Sequence, residues 1–148
     1  GASSSLDQPQ PFCQVKDMKH IFTLLACIVA APLAAQTAMT AQEFDAYTRG
    51  KTLFYNSNGQ TYGAERYLEN RRVEWSFLDG ECKPGEWYED NGKICFTYDD
   101  NPDAQCWTFQ LGDAGLIARF ENDPTTTDLY EAEDIDEKML CLGPKTGV

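Results

Sequence analysis

Gly85–Trp107, GEWYEDNGKICFTYDDNPDAQCW, is the stretch whose reading decides the fold. It reads as two β-hairpins sharing a middle strand. Trp87 and Tyr88 lead into Asp90-Asn91-Gly92, whose Asn-Gly pair supplies the positive φ angles of a tight hairpin turn. Ile94–Tyr98 then run back, and Asp99-Asp100-Asn101-Pro102 reverses the chain again. A register that sets Tyr98 opposite Asp103 also sets Cys95 opposite Cys106 and Ile94 opposite Trp107. Side chains alternate across a strand, so Ile94, Phe96, Trp107 and Phe109 are expected on the core face and the two cysteines on the other. Directly opposed Cβ atoms lie within reach of a disulfide.

Outward from this stretch the same signals recur. Thr40-Ala41-Gln42-Glu43 is a capping box, in which the Thr hydroxyl and the Glu carboxylate satisfy free backbone N–H groups. It starts a helix over Ala41–Arg49, stopped by Gly50, with Phe44 and Tyr47 on its buried stripe. The period then becomes alternating. Lys51–Tyr55 and Gln60–Leu68 form a hairpin about Asn58-Gly59, and Arg72–Phe77 turns Val73, Trp75 and Phe77 to one side. Leu116–Phe120 alternates as well, Thr125–Tyr130 is β-branched enough for a last strand, and Asp134–Leu142 is left as a short helix or an extended return. Seven or eight short strands with short connections predict a mainly β fold: an antiparallel up-and-down meander barrel or strongly curved sheet, with one short N-terminal helix plugging or flanking an end. A two-sheet β-sandwich is the alternative.

The N-terminal part has a different character. Met18-Lys19-His20, the apolar Ile21–Ala31 and Pro32-Leu33-Ala34-Ala35 have the layout of a signal peptide over 18–35, with 1–17 an upstream extension or tag remnant. The apolar run is too short to span a bilayer. Residues 36–148 are then one exported, disulfide-stapled β domain, periplasmic or secreted and expected as a monomer. That domain loses Lys16, Lys19, Asp7 and Asp17, so 10 Lys+Arg and 22 Asp+Glu remain and its net charge stays at 10 − 22 = −12. Nucleic acid and anionic membrane surfaces are poor partners for it, since both need a basic footprint.

Cys13 and Cys27 fall in the prefix, which leaves Cys82, Cys95, Cys106 and Cys141. Their spacings of 13, 11 and 35 residues contain no Cys-x-x-Cys knuckle, so disulfides are favoured over zinc. With Cys95 bonded to Cys106, elimination pairs Cys82 with Cys141.

The sole histidine is His20, in the prefix. The domain therefore lacks a His base, a Ser-His or Cys-His nucleophile and a His metal ligand. No cofactor is indicated. Glu65 and Glu74, near Arg66, Arg71 and Arg72, are the barest carboxylate pair for a hydrolase. Asp99, Asp100 and Asp103 are a weak calcium candidate, lacking the twelve-residue loop with its terminal Glu. Gly59, Gly63 and Gly80 read as turn glycines. Tyr62, Trp75, Trp87 and Trp107, with Arg72, are the candidate ligand-binding residues; the aromatics either line a barrel mouth or plug a barrel too small for a cavity, and the plug is favoured.

Gly50-Lys51-Thr52-Leu53, Tyr62-Gly63-x-Glu65, Gly85-x-Trp87, Ile94-Cys95-Phe96-x-Tyr98 and Cys106-Trp107 together resemble a family of small exported proteins of proteobacteria, alphaproteobacteria especially, catalogued as a domain of unknown function. The resemblance implies export and a single domain, and brings no activity. Three functions stay open. A non-enzymatic binding protein for a small apolar molecule, a glycan or an envelope component comes first. An interaction module for a cationic partner, such as an inhibitor of a lysozyme-like envelope enzyme, comes second. A carboxylate-based hydrolase is a distant third.

Overall fold

The computed structural model describes residues 37–133 and 135–143. The proposed tag, signal peptide and cleavage site lie outside them. Helix α1 (Ala41–Thr48) precedes β1 (Thr52–Ser57), β2 (Gln60–Tyr67), β3 (Arg72–Ser76), β4 (Lys83–Asp90), β5 (Lys93–Tyr98), β6 (Asn101–Gly112), β7 (Gly115–Phe120) and β8 (Leu129–Ala132), with a 3-10 turn at Glu69–Arg71. Each strand pairs antiparallel with the next, and β8 returns to β1, so the meander closes into an eight-stranded barrel. Closure leaves no free sheet edge.

The helix starts where the capping box places it. The Glu43 N–H donates to Thr40 Oγ1 and the Thr40 N–H to Glu43 Oε2, both at 3.1 Å. Helical geometry ends at Thr48, and Gly50 turns the chain at φ +78°. From there the Gly50 N–H bonds the Tyr67 carbonyl at 2.9 Å, which ties the helix to the end of β2. The helix closes one end of the barrel, Phe44 entering it and Ala41 joining the same core cluster. Phe44 is fully buried, its ring 4.4 Å from that of Phe109, 5.2 Å from Trp87 and 5.6 Å from Tyr67. The Arg71 guanidinium lies over the Trp87 ring at 4.4 Å. Full burial of such aromatics is worth ~2–3 kcal/mol each.

Cys95 bonds Cys106 across β5 and β6, and Cys82 bonds Cys141, as the register and elimination required. The second bridge carries the tail: Leu142 N–H donates to the Gly80 carbonyl at 2.9 Å, and Met139 is buried. The described part of that tail forms neither helix nor strand. Two bridges fit an oxidising environment. No helix among the described residues is long and apolar enough to cross a membrane.

Three local readings change. Tyr98 faces Asn101 rather than Asp103, because the turn is just Asp99-Asp100 and β6 bulges between its pairs with Tyr98 and Phe96. Pro102 has no N–H for the ladder, and the Asp103 N–H bonds Asn101 Oδ1 at 3.1 Å, so the strand takes up its extra residues there. The last strand is Leu129–Ala132, not Thr125–Tyr130: Thr125 and Thr126 bond Asp123 in a turn instead. Finally, Gly63 is no turn glycine but lies inside β2.

Candidate functional site

Above the plug the barrel is open. Tyr67, Phe96 and Phe109, which meet Phe44 on one side, form the floor of a cavity of about 280 Å³ on the other. Its walls include Tyr55, Trp75, Tyr98, Trp107, Ala118 and Leu129, and half-exposed Tyr62 and Phe77 stand at the mouth, at 43% and 49% exposure. The rings of Tyr62, Trp75 and Phe77 contact one another at centroid distances of 5.4–5.8 Å. Lys83 and Asp100 also border the opening and pair at 2.9 Å.

Two glycines make room for this lining. A Cβ on Gly63 would sit 2.3 Å from Trp75 Cζ2 and 2.7 Å from the Ser76 carbonyl oxygen. On Gly85 it would sit 2.3 Å from the Thr97 carbonyl oxygen and 2.8 Å from Tyr98 Cδ1. Any larger residue at either place displaces a cavity-wall ring or the backbone beside it.

Among the described residues, with Asp100 standing at the mouth, Glu65 is the one buried carboxyl in the chamber lining. Its strand neighbours across β1 and β3 are Leu53 and Trp75, and it is 2% exposed. The Tyr98 hydroxyl donates to Oε1 at 3.1 Å, while Oε2 has no hydrogen-bond partner. Desolvation pushes the carboxyl well above its ordinary pKa; the Tyr98 hydrogen bond opposes this, and the negative charge of Glu74 adds to it. The Tyr98 phenol is also raised, first by burial and then by the Glu65 charge. Tyr55 and Tyr67 share a hydroxyl–hydroxyl bond of 2.8 Å, and burial raises both.

The candidates from sequence divide accordingly. Tyr62, Trp75 and Trp107 meet at the cavity. Trp87 does not: β4 places it at the plugged end, against Phe44 and Arg71. Arg72 is exposed and does not line the cavity. Glu65 and Glu74 do not form an acid and base pair, because neighbouring register positions face opposite ways; Glu74 bonds Arg66 at 3.0 Å on the outer face. Asp99, Asp100 and Asp103 do not converge as calcium ligands. Among the described residues the one convergent trio is Glu74, Cys82 and Cys141, whose sulfurs are already joined to each other. The plug and the cavity, posed as alternatives, both exist, at opposite ends of one barrel. Comparison with protein-family models, with curated proteins and with solved structures finds no match.

Proposed function

We propose that the chain is a binding protein of an oxidising extracytoplasmic space, periplasmic or secreted, and that the open half of its barrel holds one compact, largely apolar molecule. The observation that carries this reading is the cavity itself. At about 280 Å³ it stands at the lower edge of the ~300–1,000 Å³ usual for small-molecule sites, and an aromatic lining around a few buried polar groups is the make-up such sites share. A purely structural barrel of eight strands fills its interior with side chains, as this one does at the helix end. Gly63 and Gly85 work against filling at the other end.

A tryptophan-fluorescence titration with a compact aromatic alcohol, 2-phenylethanol, tests it. Saturable binding of one molecule per chain is expected, and it is lost in Ala118→Phe, which fills the chamber from β7; Ala118→Leu serves if the larger ring prevents folding. Binding unchanged in a folded filled variant, or absence of saturable binding by both this alcohol and 2-phenylethylamine, overturns the proposal.

A further inference from the structure

Glu65 is a buried carboxyl in the chamber wall with one oxygen unpaired, and among the described residues the chamber supplies it no cation. Lys83 is the one cationic side chain among the described residues lining the cavity, and it is held at the mouth by Asp100. Arg66 lies on the outer face with Glu74. A buried carboxyl oxygen without a partner is costly, and a positively charged donor is the partner that relieves it most. The walls suit the same guest. Aromatic faces attract cations, and the protein's own ammonium groups already sit this way, Lys83 over Phe77 at 5.6 Å and Lys51 over Tyr47 at 4.2 Å. The chain's net charge of −12 draws cations to the mouth and repels anions.

We infer that the cavity's ligand is an organic amine, a compact apolar or aromatic body carrying an ammonium group that pairs with the Glu65 carboxyl and stacks against Trp75 and Tyr98. This rests on the binding-protein reading and adds the chemical class of the guest. The raised carboxyl pKa implies a proton balance. Burial favours the protonated acid in the empty barrel and the ammonium favours the carboxylate, so binding shifts Glu65 towards giving up its proton to solvent. The other titratable groups around the chamber are Tyr55, Tyr67 and Tyr98, whose phenols burial pushes further from ionising, and Tyr62 and the Lys83–Asp100 pair at the mouth.

Isothermal titration at pH 7 with 2-phenylethylamine, 2-phenylethanol and 3-phenylpropionate separates the possibilities. The amine is expected to bind roughly tenfold or more tightly than the alcohol. The propionate does not bind. Repeating the amine titration in buffers of different ionisation enthalpy should show net proton release on binding. Glu65→Gln, which keeps an acceptor for the Tyr98 hydroxyl, should bring the amine down to the alcohol's affinity and abolish the proton release. Alcohol and amine binding equally, or an amine affinity that survives Glu65→Gln, overturns the amine assignment and leaves the cavity reading standing. Failure of all three compounds to bind overturns both.

Discussion

The two ends of this barrel are built from the same residue types and do opposite things. At the helix end, Phe44 enters a ring of Tyr67, Trp87, Phe96 and Phe109, and the space is filled. At the far end, Trp75, Trp107, Tyr62 and Tyr98 stand around a chamber with a carboxyl in its wall. What separates them is not hydrophobicity but who supplies the missing volume. A residue of the chain, capped and tied by its own helix, fills one end. Nothing among the described residues fills the other, and strand glycines at 63 and 85 let the wall rings lie where larger residues would displace them. The difference teaches that an aromatic cluster becomes a site only where the fold withholds the side chain that would complete its packing.

The comparison can be broken most forcefully at the plug. Phe44→Ala should cost about 3–5 kcal/mol, since a fully buried ring leaves a void that the barrel cannot collapse into; urea denaturation checks this, and a loss below 1 kcal/mol would show that the helix is ornamental. The staples come next. The Cys82–Cys141 bridge spans 59 residues and Cys95–Cys106 spans 11, so paired Cys→Ser replacement of the first should cost more, by about 1.5 kcal/mol on loop entropy alone. Comparison of unfolding midpoints for the two double variants decides it. Trp75→Ala, at the open end, should cost only about 1–2 kcal/mol, because a partly buried ring beside an existing cavity has less packing to lose.

The smallest expected effect is the most specific to the chamber. Glu65 has its carboxyl pKa raised by folding, so its proton stabilises the native state below the ordinary value of 4.5 and that contribution is lost as pH rises towards the folded value. Glu65→Gln removes this term. At pH 7 the variant should melt no lower than the parent, and the parent should gain on it as pH falls towards 4.5. A parent that gains as pH rises would mean the carboxylate has a partner within the barrel.

Much of this was legible in the residues. Asn58-Gly59, Asn91-Gly92 and the alternation of Ile94, Phe96 and Trp107 are local signals, and they specified hairpins, register and the Cys95–Cys106 bridge without knowledge of the rest. The capping box did the same for the helix. The site was only partly legible. Which tryptophan lines a cavity depends on its height along the barrel, set by strand tilt and closure, so Trp87 looked equivalent to Trp75 and is not. In the sequence Glu65 reads as one half of a carboxylate pair with Glu74, since a carboxyl in an acidic chain carries no mark of burial. The available clue was Gly63: a glycine inside an alternating strand signals close backbone or ring approach, and its neighbour two residues on shares that inward face.

The central claim, that one end of the barrel is a receptor and the other a plug, is most directly tested by the indole N–H resonances of the three tryptophans during titration with 2-phenylethylamine. Trp75 and Trp107 should shift with a common saturation curve while Trp87, behind the floor, stays in place. Shifts of equal size at Trp87, or none at Trp75 and Trp107, would contradict the account.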